Sequence, residues 1–254
     1  MPFGTGDLTS NTDSVVVLFK GGRLQTWHTL TDAQRDDYSA QHVELMLGVA
    51  HEHGMMTLEG FKLLEPKQPW ERFWVLEFPT LEGAEAWIEA EMAPPYGTYG
   101  FYEYHLARRF AEDYFNDWVT TPRSETESLG PVDPNNLPHL DVDRDSYVVL
   151  EFARMLPEAV LVSDRQRGDA EHRELMKSVA REHGLIRLES FQLMAPQPDW
   201  HRAHVIELPT IAAVEAWIDA EMAPPQAAYS NKTVHLARRW SPRFFAGWLP
   251  GDDG

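Results

Sequence analysis

The sequence predicts an α+β protein made of two βαββαβ repeats, and three observations support this prediction. First, the 254-residue chain matches itself without a gap when shifted by 130 residues, Gln41 to Thr120 against Glu171 to Pro250. Second, the phrase AEMAPP occurs at Ala90 to Pro95 and again at Ala220 to Pro225. Third, the apolar periods within one copy follow the order strand, helix, strand, strand, helix, strand. The repeat is longer than a solenoid unit of about 20 to 50 residues, so we interpret it as a whole domain.

The first strand and helix of the first copy follow from apolar period and capping residues. Ser14 to Lys20, SVVVLFK, is a β-branched run of strand length. Thr31 can cap a helix and form a capping box with Gln34. The helix is expected to present one apolar face, and Gly54 is a natural helix stop. The apolar face consists of Tyr38, His42, Leu45, Met46 and Val49.

The second half of the copy completes the unit. Two strands are expected near 56–64 and 72–78, separated by a turn near 65–69. Thr80 caps a second helix, which Pro94 and Pro95 end. A last strand is expected near 102–109. The second copy repeats this order, with a length difference of two residues between its first strand and first helix.

This order is the ferredoxin-like split unit, whose sheet carries helices on one face and leaves the other in need of cover. Two fused copies can cover each other. The arrangement resembles the dimeric α/β-barrel superfamily in a tandem two-copy form, closer to the EthD-like and YciI-like groups. The resemblance implies an intrachain pseudo-dimeric α/β barrel with a pocket in each copy between sheet and helices. Its known members include cofactor-free monooxygenases, cyclases and isomerases, and haem enzymes such as chlorite dismutases.

The expected domain boundaries follow the repeat. Residues 1–13 form an N-terminal tail, 14–119 the first repeat, 120–143 a linker, 144–249 the second repeat and 250–254 a C-terminal tail. The linker sequence is rich in Pro, Asn, Ser and acidic residues, which interrupt any helical or strand period. Further homo-oligomerisation stays open.

Composition limits the partners. A formal net charge of -18 would repel nucleic acid and an anionic membrane surface, so we expect neither partner. The chain has no Cys, so neither disulfides nor thiolate chemistry are available. The first residues lack the features of a signal peptide, and a cytoplasmic location is expected. No compact metal-ligand motif occurs, and we expect no metal site.

Two residue pairs are the main candidates for acid and base chemistry. His42 and His172 interrupt the apolar face of the first helix in each copy, where a histidine is costly unless hydrogen-bonded. EthD-like proteins also tend to carry a His on this helix. Each could be a pocket general base or a satisfied core histidine. Glu91 and Glu221, in the repeated phrase, would be the complementary acids or plain helix-end residues.

Two further histidines, His105 and His235, lie in the last strand of each copy. If their side chains face the helices, they share a pocket with the first-helix histidines. Otherwise they face the partner sheet and pair across the pseudo-dimer interface. Strand alternation alone leaves both alternatives open.

The two copies differ most at aromatic positions. Positions that hold Trp74 and Tyr102 in the first copy hold His204 and Lys232 in the second. An aromatic first pocket suits a flat hydrophobic ligand, whereas the second is more polar. Core packing is the alternative explanation for such aromatic residues. The candidate substrate-binding residues are Trp74, Trp87, Tyr38 and Tyr99 in the first copy and His204 and Tyr229 in the second.

The sequence therefore favours a cofactor-free enzyme that performs acid and base chemistry on a hydrophobic or aromatic small molecule. Isomerase, cyclase, dehydratase and lyase reactions all fit. A cofactor-free oxygenase, a haem-dependent enzyme and a non-catalytic small-molecule binding protein are the alternatives. For haem, a single axial histidine from His42, His172, His105 or His235 would suffice.

Overall fold

The chain is described by a computed structural model that covers residues 10–111, 114–120 and 142–250. The predicted tails and linker lie almost entirely outside these ranges. The chain divides into two compact units. The N-terminal unit contains residues 12–107 together with 142–143 and 238–250. The C-terminal unit contains residues 144–237 together with 10–11, 108–111 and 114–120.

The N-terminal unit is built on the sheet order β4-β1-β3-β2, with every neighbouring pair antiparallel. Two helices follow the first and third strands of the chain. The elements of the first repeat are β1 (Val15–Arg23), α1 (Asp32–Glu52), β2 (Thr57–Lys67), β3 (Trp70–Phe78), α2 (Leu81–Glu91) and β4 (Gly100–Arg109).

The C-terminal unit repeats this topology with the sheet order β8-β5-β7-β6. The predicted fold class, α+β with two ferredoxin-like βαββαβ repeats, is confirmed. The remaining elements are β5 (Tyr147–Met155), α3 (Asp164–Arg167), α4 (Asp169–Glu182), β6 (Arg187–Leu193), β7 (Arg202–Leu208), α5 (Ile211–Glu221), β8 (Ser230–Trp240) and α6 (Pro242–Ala246). Within the described ranges, no helix combines the length and apolar character needed to cross a bilayer.

The predicted helix boundaries have the expected local causes. Thr31 and Gln34 form the capping box at the start of α1, and Thr80 caps α2 through the amide of Gly83. Gly54 adopts a φ of 61° after α1, which a side chain would disfavour. The buried face of α1 differs slightly from the predicted one, because Leu45 is 42 % exposed. The buried residues of α1 are His42, Val43, Met46 and Ala50.

The region that differs by two residues between the copies folds differently in the second. There the first helix is interrupted at Gly168, which adopts a φ of 70° and separates α3 from α4. Ser163 and Gln166 still form the capping box at the start of α3. The position of Tyr38 in the first copy is thus occupied by a residue that turns the backbone.

Each unit completes its core with an aromatic segment that follows the last strand of the other repeat. In the N-terminal unit, Trp240, Phe244, Phe245 and Trp248 pack against the first repeat. In the C-terminal unit, Tyr114, Phe115 and Trp118 take the corresponding role against the second repeat. These segments close one side of the space between sheet and helices.

Candidate functional site

A cavity of about 240 Å³ lies inside the N-terminal unit. It is bounded by the sheet, by α1 and α2, and by the segment around α6. Its lining is largely aromatic, with two arginines, one histidine and one carboxylate. The lining includes Phe19, Arg23, Trp27, His42, Arg72, Trp74, Trp87, Glu91, Tyr96, Tyr102, Trp240 and Phe245.

The sheet wall of this cavity is aromatic because of strand register. Phe19 on β1 pairs with Trp74 on β3 and with Tyr104 on β4. Directly paired residues point to the same face, so the rings meet. The centroid of Phe19 lies 6.4 Å from that of Trp74, 4.7 Å from that of Tyr104 and 5.8 Å from that of Tyr102. Trp74 in turn contacts Phe245 of the C-terminal segment, at 4.8 Å.

The helical wall brings His42 and Glu91 together. His42 Nε2 lies 3.3 Å from Glu91 Oε2, and the two side chains are 9 % and 13 % exposed. The imidazole stacks on the ring of Tyr96 at a centroid distance of 3.9 Å. The first helix and the end of the second helix therefore place a histidine and a carboxylate side by side at the cavity.

Two arginines enter the cavity from the strands. The guanidinium of Arg23 stacks on Tyr96 and Trp27, at 3.9 and 4.6 Å from the ring centroids. Arg72 stacks on Trp240 at 4.1 Å. Burial lowers the pKa of Arg72 to about 10, and the positive charge of Arg23 adds to this shift. The two cations therefore repel each other across the cavity.

The corresponding positions of the C-terminal unit form a polar cluster. Glu151 occupies the place of Phe19, since it pairs with His204 and Val234 as Phe19 pairs with Trp74 and Tyr104. His172 Nε2 lies 3.4 Å from Glu221 Oε2, and Lys232 Nζ donates to the same carboxylate. The cluster is completed by a hydrogen bond of 2.7 Å between Ser190 Oγ and His204 Nδ1.

Burial and neighbouring charge separate the pKa values of the two carboxylates. Burial raises the pKa of Glu151 to about 8, the charge of Glu221 adds to the rise, and Lys232 opposes it. Burial alone would also raise the pKa of Glu221, but the hydrogen bond from His172 and the charge of Lys232 outweigh it and lower this pKa to about 2. Burial lowers the pKa of His204 to about 4. Glu221 is therefore ionised while Glu151 holds a proton at neutral pH.

The other residues singled out from the sequence lie apart from these two sites. His105 Nε2 contacts Glu103 Oε1 at 2.9 Å, and alternation along β4 puts both on the sheet face opposite Tyr102 and Tyr104. His235 contacts Phe152, which neighbours Glu151 on β5 and points to the other face. Neither histidine shares a site with the first-helix histidines.

The predicted substrate-binding residues divide between the sites and their surroundings. Trp74 and Trp87 line the cavity, and His204 belongs to the polar cluster. Tyr38 and Tyr99 stack on each other at 6.1 Å but are not part of the lining. The backbone carbonyl of Tyr229 accepts a hydrogen bond from Leu156, which marks a role in the turn before β8.

Several residues at the sites escaped prediction. Arg23 and Arg72 stand near strand ends, where the sequence alone does not distinguish them from solvent-facing arginines. Glu151 had a detectable signal, because a carboxylate interrupts the apolar run of β5. The aromatic segment around α6 belongs to the second repeat in sequence and to the N-terminal unit in structure.

Comparisons with known proteins identify the fold. No family model and no curated protein matches the chain. Among solved structures, the chlorite dismutase from Candidatus Nitrospira defluvii in complex with imidazole matches with a TM-score of 0.65 and 10 % identity, over 94 % of this chain and 96 % of that chain. A mutant of the same enzyme in complex with cyanide matches with a TM-score of 0.65 and 10 % identity, over 92 % and 93 %. A protein assigned as a chlorite dismutase matches with a TM-score of 0.59 and 15 % identity, over 94 % and 100 %.

These structures correct the functional prediction. The matched structures are chlorite dismutases, which are haem enzymes, and this chain is similar to them in fold. The prediction of an enzyme without a cofactor is therefore wrong, and the haem-dependent alternative agrees better with the comparisons. The solved structures named here, to which this chain is similar in fold, are chlorite dismutases with a ferredoxin-like fold.

Proposed function

We propose that the chain is a haem-dependent enzyme and that His172 holds the haem iron. The observation that carries the proposal is the state of the imidazole. Its Nε2 faces Glu221, whereas its Nδ1 is buried and, within the described residues, has no hydrogen-bond partner. An imidazole nitrogen without a hydrogen-bond partner can bind a metal, and metal-bound histidines commonly have the other nitrogen held by a carboxylate. This nitrogen could therefore serve as the axial ligand of a haem.

The neighbours of His172 suit this role. Glu221, with its pKa lowered to about 2, stays a carboxylate and accepts from the imidazole at any physiological pH. Lys232 holds that carboxylate in place through its ammonium group. When bound, haem supplies redox and ligand-binding chemistry at its iron, while the protein sets the axial ligand and its surroundings. Glu151 holds a proton nearby, since its pKa of about 8 keeps it protonated at neutral pH.

The duplicated chain offers a matched control for this proposal. His42 has the same contact with Glu91, at 3.3 Å, but its Nδ1 is not among the buried atoms without a partner. Purified wild-type protein titrated with haemin should develop a Soret band that survives desalting. His172→Ala should lose this band, and His42→Ala should retain it, with circular dichroism confirming that both variants fold.

Two results would contradict the proposal. One is a wild-type protein that shows no Soret band after haemin addition and desalting. The other is the reverse pattern, in which His42→Ala loses haem and His172→Ala keeps it. Either result removes His172 as the iron ligand.

The rest of the proposal concerns the ligand of the N-terminal cavity, the related protein groups, the location and the assembly of the chain. We propose a hydrophobic small-molecule ligand in the cavity of the N-terminal unit, because its walls are aromatic. A closer relation to the EthD-like and YciI-like groups rests on the first-helix histidines. A cytoplasmic location, pairing of the repeats within the chain and further homo-oligomerisation also stay proposals. Cell fractionation tests the first of these three, and light scattering of the purified protein tests its oligomeric state.

A further inference from the structure

We infer that the cavity of the N-terminal unit binds a small aromatic carboxylate, and that Arg23 and Arg72 recognise its carboxylate group. The inference rests on the proposed small-molecule ligand of this cavity and names its chemical class. It is independent of haem binding, which we assign to the other unit.

The size of the cavity limits the ligand. A volume of about 240 Å³ corresponds to about eight water molecules in the liquid. An apolar cavity of about 150 Å³ is enough to bind benzene. The space therefore suits one aromatic ring with a short polar substituent.

The aromatic walls suit the ring of such a ligand. Phe19, Trp74 and Tyr102 cover the sheet side, and Trp87 and Phe245 cover the opposite sides. Aromatic pairs gain interaction energy beyond the burial of their area. A planar ligand therefore finds partners on several sides of the cavity.

The two arginines indicate the charge of the ligand. Within the described residues, neither Arg23 nor Arg72 forms an ion pair with a carboxylate. The nearest carboxylates are Glu91 and Glu71, whose charges act on both arginines from beyond contact distance. The uncharged hydroxyl of Tyr102 lies beside Arg23. Two partly buried cations that repel each other are stabilised by an anion bound between them.

Aromatic rings hold both guanidinium groups in place at the cavity. The central guanidinium carbon of Arg23 lies 3.9 Å from the ring centroid of Tyr96, and that of Arg72 lies 4.1 Å from the centroid of Trp240. The N–H donors of a guanidinium lie in its plane, and their fork geometry matches the two oxygens of a carboxylate. An arginine held in this way loses little further entropy when it binds an anion.

The C-terminal unit provides the internal control. Arg202 is the counterpart of Arg72 and stacks on Phe110 at 4.4 Å, as Arg72 stacks on Trp240. The counterpart of Arg23, however, is Met155. The second unit thus has one arginine where the first has two, and Lys232 is engaged by Glu221. At these two corresponding positions, only the N-terminal unit has a pair of arginines.

The test is a binding titration with benzoate, followed by tryptophan fluorescence and by calorimetry. Benzyl alcohol serves as the neutral aromatic probe, cyclohexanecarboxylate as the non-aromatic acid and inorganic phosphate as an anion without a ring. The variants are Arg23→Met, which introduces the residue found in the second unit, and Arg72→Gln. Arg202→Gln is the matched control, and thermal melting confirms the fold of each variant.

We expect saturable benzoate binding that is at least tenfold tighter than binding of each of the other three probes. Arg23→Met and Arg72→Gln should each weaken benzoate binding at least tenfold, and Arg202→Gln and His172→Ala should leave it unchanged. Equal affinity for benzyl alcohol, retention of benzoate in both arginine variants, or an equal loss in Arg202→Gln would overturn the inference. Because the haem proposal is read from the Soret band, its failure leaves the benzoate result intact and the two outcomes stay distinguishable.

Discussion

Glu151→Gln should make the protein more stable at alkaline pH and remove part of its pH dependence. Glu151 is 4 % exposed, and burial together with the charge of Glu221 raises its pKa to about 8 from the ordinary 4.5. Between pH 4.5 and 8, the folded chain holds a proton at this site that the unfolded chain has released. Stability therefore falls as the pH rises through this window and levels off above it.

The magnitude follows from the size of the shift. Each pKa unit corresponds to about 1.36 kcal/mol, so the loss at pH 8 reaches roughly 5 kcal/mol. Glutamine has nearly the same shape and does not ionise. The difference in unfolding free energy between Glu151→Gln and the wild type should thus be small at pH 4.5 and grow to several kcal/mol at pH 8.5.

Urea denaturation at pH 4.5, 6.5 and 8.5, followed by fluorescence and circular dichroism, measures this difference. Glu221→Gln is the control of opposite sign. It removes the partner of both His172 and Lys232, and breaking a buried ion pair in this way costs about 3 to 5 kcal/mol. Parallel stability curves for Glu151→Gln and the wild type across the three pH values would refute the reasoning.

Two further predictions concern packing and acid stability. Trp248→Ala should destabilise the protein by about 3 to 5 kcal/mol, because Trp248 is 5 % exposed in the core of the N-terminal unit. The control is Val160→Ala, at a side chain that is 84 % exposed. Equal denaturation midpoints for the two variants would contradict the role of the segment around α6 in this core. His204→Gln should reduce the loss of stability between pH 6.5 and 4, because burial lowers the pKa of His204 to about 4 and the unfolded chain binds the proton first on acidification. Melting curves that shift equally with pH in this variant and the wild type would exclude that cause.

The fold could be predicted because its local signals are strong and are written twice. Thr31 with Gln34, Gly54 and Thr80 end or begin helices through contacts within a few residues, and the structure shows those contacts. The same reasoning failed at Leu45 because the helix is rotated toward Val43 and Ala50 in the packed unit.

The site could be predicted only in part, for a physical reason. His42 and Glu91 were named separately as a base and an acid, and the structure places them 3.3 Å apart. Arg72 meets Trp240 across a long stretch of sequence, and only the packing of the C-terminal segment on the first repeat brings them together. A cavity made of such distant residues leaves no local pattern in the sequence.

The differences between the copies form a connected set rather than independent changes. Replacing Phe19 by a carboxylate at Glu151 puts an ionisable group in the centre of the sheet, where an unpaired charge is costly. The counterparts of Tyr102 and Trp74 are Lys232 and His204, and the positive charge of Lys232 opposes the rise in the pKa of Glu151 that burial causes. Lys232 in turn forms an ion pair with Glu221. The counterpart of Glu221 in the first copy is Glu91, which contacts His42. A single Glu151→Phe change would therefore restore one aromatic residue and leave Lys232 and Glu221 in place. The second site would stay polar, so the specialisation of the two units depends on several linked substitutions.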